Sequence, residues 1–184
     1  ILKHSIIKDE TFFKWLKKNT HNILLKKPNA LIFAIKKSCQ IKMFFVNKDV
    51  SEKNLRMILN FGHTFGHAIE AKNKFSKKIS HGESVLSGMI LATRMSNTKK
   101  LCSDKTLREI EGIYKNNNLA YTFKRFSNPV SIKKLIPFLK NDKKNNDDKI
   151  NFILLKNIGS TTKPNHQKIS IPNLKKLCNS IAQY

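Results

Sequence analysis

Residues 56–70, Arg56-Met-Ile-Leu-Asn60-Phe-Gly-His63-Thr-Phe-Gly-His67-Ala-Ile-Glu70, set polar side chains at regular intervals inside an apolar segment. Read as one helix, Arg56, Asn60, His63 and His67 stand at i, i+4, i+7 and i+11 and project from a single face. Ile58, Leu59, Phe61, Phe65, Ala68 and Ile69 are apolar enough to bury the rest of that helix, so the polar stripe is expected to line a cleft. Gly62 and Gly66 each cost a helix about 1 kcal/mol relative to alanine, and are expected to serve close packing or the close approach of a ligand. His63 and His67 have the i, i+4 spacing of helical zinc sites, and His81 opens a further apolar segment from which it can join them after a turn. A bare His-x-x-x-His pair is more often structural or exposed than metal-binding; the polar stripe, the glycines and the third histidine favour metal here. A catalytic zinc takes about three protein ligands and keeps one position open. The identity of the third ligand is left open by the residues alone. Glu83 is engaged in a helix cap, Glu70 lies one turn past the stripe and Glu52 one turn before it.

The elements that must position these groups are mostly helices. A helix is expected over 9–18, carrying Phe12, Phe13, Trp15 and Leu16, and another from Pro28 to about residue 46 with Leu31, Ala34, Ile35, Ile41 and Phe45 on its apolar face. Lys42 rides on the second of these. Ser51 is expected to cap the helix that carries the stripe. Ser80-x-x-Glu83 has the form of a capping box starting a helix to about residue 97, with His81 at its first position. Further helices are expected at 103–116 and 131–140, the latter broken by Pro137, followed by a polar loop over 140–149. Residues 150–155 read as a strand paired with 168–171, before a last helix from about Pro172. The fold class is therefore mainly α and multi-helical, with a short β-hairpin near the C-terminus, and 1–184 is expected to be a single domain.

Composition narrows the function classes. The formal charge is +24, which would ordinarily point to nucleic acid or an anionic membrane surface. Of 36 basic residues, however, only Arg56, Arg94, Arg108 and Arg125 are arginine. A surface built for bidentate phosphate and base recognition would carry more of them, and no nucleic-acid motif accompanies the charge. No specific nucleic-acid role is expected; the charge implies nonspecific stickiness at low salt and attraction of an anionic substrate. No apolar run approaches the roughly 20 residues of a membrane span. Ile1 is not followed by a signal-peptide pattern, and Cys39, Cys102 and Cys178 are odd in number and far apart, so reduced thiols and a cytoplasmic location are expected.

The runs Leu59-Asn-Phe-Gly-His-Thr-Phe-Gly-His-Ala-Ile-Glu70 and His81-Gly-Glu-Ser-Val-Leu-Ser-Gly-Met89 resemble those of the 3-dehydroquinate synthases of the shikimate pathway. Cys39-Gln-Ile-Lys42 upstream, and Asp142-Lys143-Lys144, Phe152-Ile-Leu-Leu155 and Ile158-Gly159 downstream, fit the same pattern. The resemblance runs almost end to end but covers only the C-terminal part of such an enzyme, and no Gly-x-Gly-x-x-Gly is present. It therefore implies an N-terminal NAD-binding domain that this chain lacks, and a homodimer when intact. By the resemblance His63 and His81 are zinc ligands, cobalt being a possible substitute, and the third ligand is a glutamate immediately before the Ile1-Leu-Lys3 motif. His67 and Asn60 turn to the substrate phosphate, as does Lys143, with Lys144 the alternative. Lys42 and Arg56 hold the substrate carboxylate, Lys3 meets hydroxyls near the metal, and Glu52 keeps the cationic residues in place. Taken singly, each of Lys3, Lys42 and Lys143 is an ordinary solvated lysine.

The implied reaction converts 3-deoxy-D-arabino-heptulosonate 7-phosphate to 3-dehydroquinate and phosphate, with NAD consumed and regenerated within a turnover. Related sugar-phosphate cyclases, metal-dependent alcohol dehydrogenases and a noncatalytic basic remnant that binds nucleic acid or a partner are the alternatives. The Lys42 and Arg56 pair favours a carboxylate-bearing substrate over the first of these.

Overall fold

The computed structural model describes residues 1–76, 79–117, 119, 132–140 and 149–182; Lys143, Lys144 and most of the polar loop around them lie outside the described residues. Helix α1 (Leu2–Lys8) had no counterpart in the sequence reading. It stops at Asp9, whose carboxylate accepts the Phe12 N–H at 2.8 Å and so caps α2 (Glu10–Leu24). Helix α3 (Pro28–Lys48) starts with proline at its first position. Its buried stripe is Ala34, Ser38, Ile41 and Phe45, while Leu31 is half-buried and Ile35 is exposed. Ile35 stands about 100° round the helix from Ala34, which turns it away from α1 and α2, the helices α3 packs on.

The continuous helix expected over the polar stripe does not form. Leu55–Asn60 is a 3-10 segment, Gly62 takes a left-handed φ of +81°, and α4 (His63–Lys72) begins only after it. A side chain at Gly62 would be strained there, and its Cβ would lie 2.7 Å from the backbone nitrogen of Met89. Ser51 caps nothing. The loop before the 3-10 segment is organised instead by Asp49, whose carboxylate accepts the backbone N–H groups of Lys53, Asn54 and Arg56 at 3.1, 2.8 and 3.0 Å.

Helix α5 (His81–Thr98) starts with the expected capping box: Ser80 Oγ accepts the Glu83 N–H, and Glu83 accepts the Ser80 N–H at 2.8 Å. Nearly every residue from Ser84 to Ser96 is buried, which makes α5 the central helix. Its tightest neighbour is α4. A Cβ on Gly88 would overlap the carbonyl oxygen of Gly62 and sit 2.8 Å from the Gly66 nitrogen, so two backbones meet at a spacing only glycine permits. Arg94, buried on α5, donates to Glu111 of α6 (Asp104–Asn116) at 3.1 Å. It also donates to the carbonyl of Ile181 at 3.4 Å, tying both helices to α8 (Ile171–Ala182).

Pro137 does interrupt the 131–140 segment: its regular part is α7 (Ile136–Lys140). The strand expected at 150–155 splits in two. Strand β1 (Lys149–Asn151) pairs antiparallel with β4 (Lys168–Ser170), the partner expected, in the register Ile150 to Ile169. Strand β2 (Leu155–Asn157) pairs with β3 (Ser160–Thr161). The split follows the backbone donors: Leu154 N–H goes to Thr162 Oγ1 and Leu155 N–H to Ser96 Oγ on α5. The architecture is thus mainly helical with short hairpins toward the C-terminus. The three cysteines are free, and among the described residues no helix is long and apolar enough to cross a membrane.

Candidate functional site

A cavity of about 610 Å³ opens where α1, α3, the 3-10 segment and the starts of α4 and α5 meet. Its polar wall consists of Lys3, His4, Lys42, Glu52, Arg56, Asn60, His63 and His81; Leu59, Val85, Leu86 and Met89 supply an apolar wall. Seven of the residues singled out in the sequence are therefore brought together from separate elements. His67 is not in the lining. It is exposed at the edge of the histidine cluster, its ring 5.5 Å from that of His63 and 6.3 Å from that of His81. Lys143 lies outside the described residues.

The basic side chains are held by specific partners. Glu52, in a left-handed conformation (φ 54°) that costs a non-glycine residue on the order of 1 kcal/mol, accepts the Asn60 amide at 2.9 Å and pairs with Arg56 at 3.8 Å. Arg56 also donates from Nη1 to the Val50 carbonyl at 2.8 Å, so its fork is fixed from behind before any ligand arrives. Burial, and then the nearby charge of Lys42, bring Lys3 down to about 8. His4 Nδ1 and Ser38 Oγ hydrogen-bond across the α1–α3 junction.

The imidazoles at the other end are suited to a metal in their neutral state. Burial, followed by the Lys3 charge, lowers His63 to about 4. Its Nδ1 faces the Phe61 carbonyl at 3.4 Å, and its ring lies 5.7 Å from that of His81. His81 Nδ1 is 2.8 Å from Glu70 Oε1. Among the described residues, no three His, Cys, Asp or Glu side chains gather closely enough to hold an ion.

His4 is likewise lowered to about 4, first by burial and then by surrounding cations including Lys3 and Lys42. This gives a pH prediction with a definite sign. Unfolded histidine binds its proton near 6.5, whereas folded His4 and His63 do so only near 4. The unfolded state therefore gains protons first, and stability should fall from pH 6.5 to about 4. Asp49 and Glu83 act lower: backbone hydrogen bonds depress both carboxyls, so their stabilisation is present above their ordinary values and is lost only as pH drops through the depressed ones. Urea midpoints at pH 7 and pH 5 should differ, and His4→Asn should flatten part of the decline; identical midpoints would contradict it.

His4, Asp49 and Glu70 are the polar residues of this region that sequence reasoning did not assign. His4 carried no signal beyond its place next to Lys3. Asp49 could have been found as an acceptor residue heading a short irregular turn.

A family model described as 3-dehydroquinate synthase C-terminal matches residues 1–145. The chain is 42% identical over 160 residues to the 3-dehydroquinate synthase of Pelagibacter ubique (strain HTCC1062), covering 87% of this chain and 44% of that protein. To the 3-dehydroquinate synthase of Dictyoglomus turgidum (strain DSM 6724 / Z-1310) it is 40% identical over 159 residues, covering 86% and 43%. It thus spans less than half the length of these relatives. Solved structures share the fold, among them two with bound NAD+ and a metal ion. One is 2-epi-5-epi-valiolone synthase from Streptomyces hygroscopicus subsp. jinggangensis 5008 with NAD+ and Zn2+ bound, with a TM-score of 0.78 at 18% identity over 99% of this chain and 49% of that one. The other is 2-deoxy-scyllo-inosose synthase complexed with carbaglucose-6-phosphate, NAD+ and Co2+, with a TM-score of 0.76 at 24% identity over the same shares of the two chains. With the family model matching most of its residues, the chain belongs to the family of 3-dehydroquinate synthase C-terminal domains.

Proposed function

We propose that residues 1–184 form the metal- and substrate-binding domain of a 3-dehydroquinate synthase, working with an NAD-binding domain that corresponds to the part of the relatives this chain does not match. The observation that carries the reading is one cavity in which Lys3, Lys42 and Arg56 face the His63 and His81 rings. The substrate, 3-deoxy-D-arabino-heptulosonate 7-phosphate, offers a carboxylate, a phosphate and hydroxyls to such a wall. When bound, a zinc ion supplies Lewis-acid polarisation of a substrate hydroxyl and NAD a temporary hydride acceptor. His63 and His81 would hold the ion together with a glutamate donor from sequence preceding the Ile1-Leu-Lys3 motif. Arg56 and Lys42 grip the carboxylate, the first as a planar fork and the second as a point charge. Lys3 meets the hydroxyls, and Glu52 keeps Arg56 and Asn60 aimed. Asn60, exposed His67 and Lys143 bind the phosphate. A soluble cytoplasmic enzyme, dimeric when intact, is part of the same reading.

The test is a chimera in which this chain follows the unmatched portion of the Pelagibacter ubique relative. It should release phosphate and form 3-dehydroquinate only with added NAD, whereas the 184-residue chain alone should do neither. Phosphate release by the chimera without 3-dehydroquinate would point to another cyclase reaction.

The carboxylate clamp separates this reading from cyclases of neutral sugar phosphates. Arg56→Lys should cost about 1.5 to 3 kcal/mol, the range for a hydrogen bond to a charged group, or roughly tenfold to hundredfold in specificity constant. With a substrate analogue lacking the carboxylate, the same substitution should cost far less, because the contact it weakens is already gone. Additive losses in this double cycle of enzyme and substrate would dismiss the clamp.

A further inference from the structure

We propose that Glu70 is the positioning residue for His81, holding its ring as the Nδ1–H tautomer so that Nε2 is the nitrogen presented toward the metal. The inference rests on the metal reading above and concerns a residue to which that reading gives no role.

Glu70 stands seven residues after His63 and three after His67, on the same face of α4. That face meets the first residue of α5, which is His81. Across the junction Glu70 Oε1 lies 2.8 Å from His81 Nδ1. The two partners differ in exposure: the Glu70 side chain is 16% exposed and the His81 side chain 60%. The carboxylate is thus the fixed member and the ring the one that needs fixing. An ionised carboxylate only accepts hydrogen bonds, so the shared proton sits on Nδ1. In the neutral ring the lone pair is then on Nε2, pointing away from Glu70.

His63 shows the same arrangement by another route. Its Nδ1 faces a backbone carbonyl, which also only accepts, and again leaves Nε2 as the free nitrogen. Both rings are therefore set to ligate through the same atom. A carboxylate or carbonyl behind a ligating histidine fixes ring orientation and raises ligand basicity. The contact also answers a question the spacing leaves open. Glu70 was within a turn of the histidine stripe and could have been the third ligand itself; engaged with Nδ1, it acts through His81 instead.

The experiment compares the chimera described above, which restores the sequence preceding the Ile1-Leu-Lys3 motif, with its Glu70→Gln and Glu70→Ala variants, with far-UV circular dichroism checking that helix content is retained. Ring nitrogen-15 NMR at alkaline pH, where imidazole is neutral, reads the His81 tautomer without any metal. Zn2+ titration followed on the His63 and His81 ring signals reads affinity. In the wild type and in Glu70→Gln, whose amide oxygen can still accept, His81 should carry its proton on Nδ1. In Glu70→Ala it should shift toward Nε2–H, and Zn2+ binding should weaken by about 10- to 100-fold, with Glu70→Gln staying within about threefold of wild type, well short of that loss. A wild-type ring protonated on Nε2, or a tautomer indifferent to Glu70→Ala, would overturn the inference whatever the zinc result. Glu70→Gln losing zinc as badly as Glu70→Ala would also overturn it, by making Glu70 a direct ligand. A tautomer that obeys Glu70 while Zn2+ leaves both wild-type rings unmoved would instead sink the metal reading and reduce the contact to a tie between helices.

Discussion

Gly88→Ala should strongly destabilise the protein and dissolve the histidine cluster with it. The new Cβ would overlap the Gly62 carbonyl and crowd the Gly66 nitrogen at 2.8 Å, and both are backbone atoms that no rotamer change can move. Overpacking a core ordinarily costs about 1 to 3 kcal/mol, and an overlap with backbone belongs at or above the top of that range. A loss of about 3 kcal/mol lowers Tm by roughly 6 to 12 °C in a chain of this size. Relief requires α4 and α5 to move apart, which separates His63 from His81. Gly112→Ala is the control: it lies within α6, and nothing stands within 4 Å of its added Cβ. That variant should be neutral or stabilised by up to about 1 kcal/mol, the helix propensity difference. Thermal unfolding of the three proteins decides the matter. A Gly88→Ala melt within about 2 °C of wild type, below the shift expected from 1 kcal/mol, would show that the two helices are not held at glycine spacing.

His63→Ala and His81→Ala should each abolish stoichiometric zinc in the intact enzyme, while His67→Ala should keep the metal and lose turnover. His63 and His81 line the cavity with ring centroids 5.7 Å apart, and each has an acceptor beside Nδ1. His67 is one turn along α4, exposed and outside the lining. A site with about three protein ligands cannot spare one, whereas a residue that meets the substrate phosphate can go without loss of the ion. Metal analysis of the three purified variants separates the roles. Equal zinc loss in all three would make His67 a ligand and leave the phosphate to other residues.

The pH dependence and the Glu70 test probe the same region by independent routes. The first reads burial of neutral imidazoles; the second reads which nitrogen carries the proton. A chain could pass one and fail the other, since burial of His63 requires nothing of Glu70.

What could be read from the residues alone was local. Pro28, the Ser80–Glu83 capping box and Pro137 mark helix starts and breaks through contacts within a few residues, and each lies where expected. The types of side chain needed for a metal and a carboxylate, and the family that combines them, were legible for the same reason: they sit in short contiguous runs. The arrangement of those side chains was not. A single periodic helix from Arg56 to His67 is the natural reading of the spacing, but the left-handed Gly62 breaks it, and that turn is fitted against the backbone of Met89 on a different helix. Arg56 and Asn60 are consequently aimed by Glu52 and by the Asp49-capped loop, not by helical phase with the histidines. Lys3 and Lys42 reach the same cavity because α1 and α3 pack beside the 3-10 segment. Sequence by itself determined which chemical groups this protein carries and where the helices with a local start signal, α3 and α5, begin. Only the tertiary structure decided which groups share a cavity, because that depends on backbone contacts between helices distant in the chain, which no local pattern encodes.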